Sequence, residues 1–376
     1  MSRLRIVAYN VHFGDAILVE IPDREGSREV NRHVLFDVGN VLTGAGGDDA
    51  VFEPIIRDIM ERLEGRPIDL YVMSHEHLDH VQGLRYAADR GLAVPVSYAW
   101  LTASAAPDYY EKHPTAARKL AIAQDHFEVV KVAAVRRGLL DDPFVRTFIA
   151  NNDRASTQAY VAYLRTMAPV TRYVHRGFSP KVGTDHSFAE AQFRIWGPEE
   201  DTTAYYGRVT PFIARVSEGA DAPPGVDREA FRELMAFLEL GMPESMLAID
   251  RAANDTSVVL EIEWRGWRLL FPGDAEQRSW QLMARNGMVR PVHLFKVGHH
   301  GSRNALPPGP VLEQLLPAER PDSRQRTAIL STYPETYPGV PDELTLARLK
   351  ARVDQLITTR SVGSAKSVAV ELDDDG

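Results

Sequence analysis

The feature that most constrains this chain is the segment Ile68-Asp69-Leu70-Tyr71-Val72-Met73, followed at once by Ser74-His75-Glu76-His77-Leu78-Asp79-His80. Gly65 and Pro67 stop the helical pattern before it, and the apolar run reads as a buried strand. Open α/β sheets place their sites at strand ends. This strand end offers four metal-competent side chains, His75, His77, Asp79 and His80, within six residues. In an extended turn His75 and His77 point to one side, while Asp79 and His80 reach a second point nearby. That suits two ions sharing ligands roughly 3.5–4 Å apart, an arrangement that activates water and holds an anionic oxygen.

The surrounding pattern predicts a layered α/β protein. Residues 3–9, 16–21 and 33–36 read as strands, and Val51, Ile55, Ile56, Ile59 and Leu63 share one face of a helix. A second helix follows the histidine motif through Asp89. Strand, helix, strand, charged loop, helix is the order of a layered α/β fold. Residues 105–168 are Ala-rich and helical, and 217–246 begin as a Pro/Gly loop and continue as an amphipathic helix. Strand character returns at 257–263, 267–271, 293–297 and 327–330, and a helix is predicted over 344–356. The reading is one α/β domain, residues 1–376, interrupted by a helical, basic insertion at 105–190 and a second helical insertion at 217–246.

Composition narrows the chemistry. The 376 residues contain no cysteine, so thiolate nucleophiles and Cys-containing zinc sites are excluded, and any metal is held by His, Asp and Glu. The formal charge of −9 argues against indiscriminate coating of nucleic acid or anionic membrane. Locally the balance differs: residues 112–172 hold ten basic and five acidic side chains, whereas 199–263 hold fourteen acidic and five basic. No apolar run approaches the length needed to span a bilayer, and the N-terminus alternates as a strand rather than a signal segment, so a cytoplasmic location is expected.

Two later strand ends answer the first. Pro272-Gly273-Asp274 follows strand 267–271, and Asp274 can bridge two ions through its two oxygens. Lys296-Val297-Gly298-His299-His300-Gly301-Ser302 closes the strand at 293–297. A Gly-Asp turn or a histidine pair alone is usually only a turn or a solvated surface. Three strand-end loops that each offer His or Asp carry more weight together.

The His-x-His-x-Asp-His motif, with Leu35-Phe36-Asp37-Val38-Gly39 before it and Leu270-Phe271-Pro272-Gly273-Asp274 after it, resembles the metallo-β-lactamase superfamily. Val11-His12-Phe13-Gly14-Asp15-Ala16-Ile17-Leu18, Asn254 to Leu260, Lys296 to Ser302 and the terminal Leu330-Ser331 extend the likeness. That ordered series resembles the metallohydrolase domain of ComEC competence proteins and their soluble relatives. It covers about residues 3–100 and 245–375. The resemblance implies an αββα sandwich with helical insertions and two divalent ions, zinc or manganese. It implies that His75 and His77 hold the first ion, that Asp79 and His80 hold the second, that Asp274 bridges, and that His300 completes the second site. Asp37 orients a ligand histidine, with Asp15 in a similar place or capping its own turn. Asp79 also accepts a proton, and His299 and Ser302 face the phosphate or leaving group.

The chain departs from that family in two places. No motif marks a further histidine for the first ion, although His113, His126, His175 and His186 are available. The loop Thr336-Tyr337-Pro338-Gly339-Val340-Pro341 lacks the histidine that often precedes proline there. The expected function is hydrolysis of phosphodiester bonds in DNA or RNA. The alternatives are a small-molecule esterase or lactonase, including a phosphorylcholine-esterase-like hydrolase, and a non-catalytic, metal-stabilised interaction module.

Overall fold

The computed structural model of the chain describes residues 3–44, 50–136, 138–206, 250–251, 253–333 and 339–373. The second predicted insertion, 217–246, and part of the Tyr/Pro-rich loop lie outside the described residues.

Two mixed sheets form the body. The first has seven strands, in the order β13 (Ser367–Leu372), β1 (Leu4–Tyr9), β2 (Ile17–Glu25), β3 (Arg28–Phe36), β4 (Ile68–Met73), β5 (Val96–Thr102) and β6 (Val170–Val174). The second has six: β12 (Gln355–Thr358), β11 (Thr327–Leu330), β10 (Leu294–Val297), β9 (Trp267–Phe271), β8 (Val259–Trp264) and β7 (Ala191–Gly197). Strands β3 to β6 run parallel, as do β9 to β12, and the remaining pairs are antiparallel.

Alternation within the strands assigns each face its layer. Leu4, Ile6 and Ala8 of β1 and Leu70 and Val72 of β4 meet Leu260, Ile262 and Trp264 of β8 in the core between the sheets. Val7, Tyr9, Tyr71 and Met73 point the other way. They pack under α2 (Phe52–Arg62), α4 (Gly83–Asp89) and α8 (Arg154–Thr166). The far face of the second sheet is covered by α9 (Gln277–Arg285), α10 (Gly309–Leu315) and α11 (Glu343–Lys350). The layers therefore run helix, sheet, sheet, helix. Because β4 is buried on both faces, it reads as an unbroken run rather than an alternating one.

The predicted helical insertion is helical only in part. α5 (Tyr109–Lys112), α6 (Pro114–Arg136), α7 (Pro143–Asn152) and α8 fill it as far as Thr166, after which β6 rejoins the first sheet beside β5. At the other end of the chain, the helix expected over 344–356 stops at Lys350, and Gln355–Thr358 is the parallel strand β12. Short helices α1 (Val41–Gly44) and α3 (Leu78–Val81) follow β3 and β4. Among the described residues, no helix is long and apolar enough to cross a membrane.

Candidate metal centre

The C-terminal ends of β3, β4, β9, β10 and β11 meet at one edge of the sandwich, as parallel strands place their loops. Two glycines let these loops close. A Cβ on Gly39 would lie 2.2 Å from the Asp79 carbonyl carbon, and one on Gly14 would lie 2.2 Å from the Gly39 oxygen. The 77–80 segment is pinned through its backbone: Asp15 N donates to Asp79 O at 3.1 Å and Val38 N to His80 O at 2.9 Å.

Six of the predicted ligands converge. His75, His77 and Asp79 form one buried group, and Asp79, His80, Asp274 and His300 form another; within each, the potential ligand atoms lie within 4.8 Å of one another. His75 Nε2 and His77 Nδ1 are 3.0 Å apart. Two donors about 2.1 Å from one cation are separated by a distance of this order. Asp79 belongs to both groups, and Asp274, expected as the bridge, belongs to the second. His300 rather than His299 turns its ring inward, with Nε2 3.1 Å from Asp79 Oδ2 and 3.8 Å from Asp274 Oδ2.

Second contacts set the tautomers. His80 Nδ1 donates to Asp37 Oδ2 at 2.9 Å, and Asp37 Oδ1 accepts the Ser74 N–H at 2.8 Å. His300 Nδ1 donates to the Ser331 carbonyl at 3.1 Å, which can only accept. Both Nε2 atoms thus present lone pairs to carboxylates. His80 Nε2 lies 3.5 Å from Asp79 Oδ1 and 3.4 Å from Asp274 Oδ2, yet among the described residues neither it nor Asp79 Oδ1 has a hydrogen-bond partner. Facing lone pairs in a buried site need a proton or a cation between them. A His/Asp donor set with no sulfur suits a divalent ion, so the residues fit the metal centre that the sequence implies.

The charge state agrees. Burial alone lowers the His80 imidazole, but Asp79, Asp274 and Asp37 raise it well above the ordinary value. Burial pushes Asp79 and Asp274 up, but His80 and His300 hold both below the usual carboxylate range. Beneath them Lys296 is fully buried, bonded to Asp15 and 4.0 Å from Asp274 Oδ1. Burial lowers its ammonium and Asp15 and Asp274 raise it, with a net rise that keeps it charged. Asp37, His299 and His300 all hold left-handed backbone, at φ 48°, 46° and 50°. Such strain is characteristic of functional sites.

His299 and Ser302 also take part in a neighbouring network. The His299 N–H donates to Asp274 Oδ1 at 2.8 Å, while its ring faces Glu276 Oε1 at 3.3 Å and Asp250 Oδ2 at 3.5 Å. Ser302 Oγ donates to Asn304 Oδ1 at 2.8 Å, and Asn304 bonds Glu276. Asn254 Nδ2 donates to both Asp250 and Glu276 at 2.9 Å. Burial raises the Glu276 carboxyl to about 7. Sequence reasoning missed Glu276 and Asp250. The former follows Asp274 by two residues in one loop, a signal that was available, whereas the latter sits alone in an acidic stretch.

Three of the four spare histidines pack elsewhere. His186 packs among Trp100 and Phe193, His113 stacks on Tyr109, and His175 Nδ1 accepts from Gly177 N. The His126 side chain lies outside the described residues. Of the basic residues at 112–172, Lys112, Lys131, Arg154 and Arg172 pair with Asp108, Asp153, Glu76 and Asp185. No family model matches the chain, and no curated protein matches it either.

Proposed function

We propose that this chain is a binuclear-metal-dependent hydrolase of phosphodiester bonds with the metallo-β-lactamase fold, acting in the cytoplasm on nucleic-acid substrates. The observation that carries this reading is the pair of buried groups sharing Asp79, with His80 Nε2 and Asp79 Oδ1 unpartnered inside them. His75, His77 and Asp79 would hold one zinc or manganese ion, and Asp79, His80, Asp274 and His300 the other. Bound there, the ions supply acidity to water and hold an anionic phosphate oxygen.

The chain's own residues do the rest. Asp37 keeps the proton of His80 on Nδ1, so Nε2 stays available as a ligand. Asp79, held ionised by its imidazole neighbours, stays available as the ligand that both groups share. The His299 ring is 21% exposed beside the centre. Burial opposes its charge, but Glu276 and Asp250 raise its pKa, which suits it to hand a proton to the leaving oxygen. Ser302, committed to Asn304, orders that network.

Labelled single- and double-stranded DNA and RNA, incubated with metal-stripped protein and then with Mn²⁺ or Zn²⁺, test the reading. Cleavage should appear only with metal and vanish in His77→Ala and Asp79→Ala. Absence of metal-dependent cleavage removes the nuclease claim. A small-molecule esterase or lactonase is the second reading, favoured by a cavity of about 500 Å³ that includes His77 in its wall. A lactone panel beside bis(p-nitrophenyl) phosphate separates the two.

A further inference from the structure

A cavity of about 500 Å³ lies between the metal loop and the helices α6 to α8. Leu120, Ala123 and Phe127 line it from one face of α6, at helical spacing. Tyr110 and Tyr206 add two more rings, with hydroxyls 3.5 Å apart. Glu76 and His77 close the side towards the ions, and Asn151 in the same wall accepts the Asp79 N–H at 3.2 Å. The volume falls in the range of small-ligand pockets, about 300–1,000 Å³. It is too small for a double helix.

The polar groups say what kind of ligand this is. Among the described residues Glu76 Oε1 is buried with no hydrogen-bond partner, so the wall offers an acceptor that lacks a donor. The Arg154 guanidinium stands 5.2 Å over the Tyr110 ring and 3.7 Å from Glu76 Oε2. A cation already occupies the aromatic face and the carboxylate, which disfavours a cationic guest. What remains complementary is a flat, neutral ring with N–H donors on its edge, joined to an anionic group that reaches the ions past His77. Aromatic faces that accept any base by stacking suit that guest.

Resting on the phosphodiesterase reading, we propose that this cavity seats one nucleoside of the substrate. The scissile phosphate then lies at the metal centre while the base lies against Leu120, Phe127 and Tyr206 and donates to Glu76. The preferred substrate is a nucleotide-sized phosphodiester or a single-strand end rather than duplex.

The test uses the full chain, reloaded with Mn²⁺, and two readouts. Hydrolysis of thymidine 5′-(p-nitrophenyl phosphate) is compared with that of bis(p-nitrophenyl) phosphate, and thymidine 5′-monophosphate binding is compared with inorganic phosphate by calorimetry. The nucleoside ester should show a KM at least ten-fold lower, and the nucleotide should bind at least ten-fold more tightly than phosphate. Leu120→Trp, which fills the cavity, should reduce both ratios to about one; Ala123→Met is the milder filling change if that variant does not fold. If the aryl diester is cleaved but the nucleoside brings no advantage in KM or binding, the seat is wrong and the phosphodiesterase reading stands. If neither ester is cleaved yet the nucleotide binds and filling abolishes binding, the seat stands and that reading fails. No cleavage and no binding overturn both, and preference for a phosphocholine ester overturns the seat.

Discussion

His80 Nδ1 donates to Asp37 Oδ2 at 2.9 Å, across 43 positions of sequence and entirely out of solvent. That bond decides which nitrogen of His80 faces Asp79 and Asp274. Outer-sphere partners of this kind typically contribute 10–100-fold to metal affinity. Asp37→Asn should therefore weaken Mn²⁺ or Zn²⁺ binding by about that factor while leaving the fold intact. Chelator competition, with circular dichroism as the folding control, measures it. Unchanged affinity would deny Asp37 its positioning role.

Metal loading should release protons. Three carboxylates raise the His80 imidazole well above its ordinary value, so the ion-free centre holds a proton at neutral pH that a cation must displace. Apparent affinity should rise with pH. Calorimetry in buffers of different ionisation enthalpy should report at least about one proton released per loaded centre near pH 7. No buffer dependence would contradict this charge assignment.

Gly39→Ala should damage the centre from outside it. The added Cβ would sit 2.2 Å from the Asp79 carbonyl carbon and 2.3 Å from the His80 nitrogen, both backbone atoms that cannot rotate away. The loss should reach at least about 3 kcal/mol, the upper end of ordinary overpacking, and metal affinity should fall with it. Thermal unfolding with and without ion checks both. A variant as stable as the parent would show that the loops do not touch as described.

Acid should destabilise the fold through histidines far from the metals. Burial lowers the pKa of His33, and likewise of His186 and His293, below the ordinary 6.5. Below that value the unfolded chain binds more protons than the folded one, so stability falls as pH drops. With chelator present, His33→Gln should lose less Tm than the parent between pH 7.5 and pH 5. An equal loss in parent and variant would remove His33 from the account.

Much of this centre was legible because its ligands sit in short motifs at strand ends. His75, His77, Asp79 and His80 share one loop, and Asp274 and His300 each follow an apolar strand. The choice of His300 over His299 depends on two successive left-handed residues, which no spacing reveals. The bond from Ser302 to Asn304 is likewise set by the folded loop and not by spacing. Strand β12 falls where the pattern predicts the end of a helix, since Leu356 continues the apolar period of Leu346, Leu349 and Val353, and only pairing with β11 distinguishes the two. The cavity was invisible because its walls come from the helical stretch, the metal loop and Tyr206, joined only by folding.

The most direct test is a titration of the metal-stripped protein with Mn²⁺ or Zn²⁺, following hydrolysis of bis(p-nitrophenyl) phosphate. The account predicts no turnover without metal, a rise to a plateau at two equivalents, and its loss in Asp274→Asn. Turnover in the stripped protein, a plateau at one equivalent, or no turnover at any loading would contradict it.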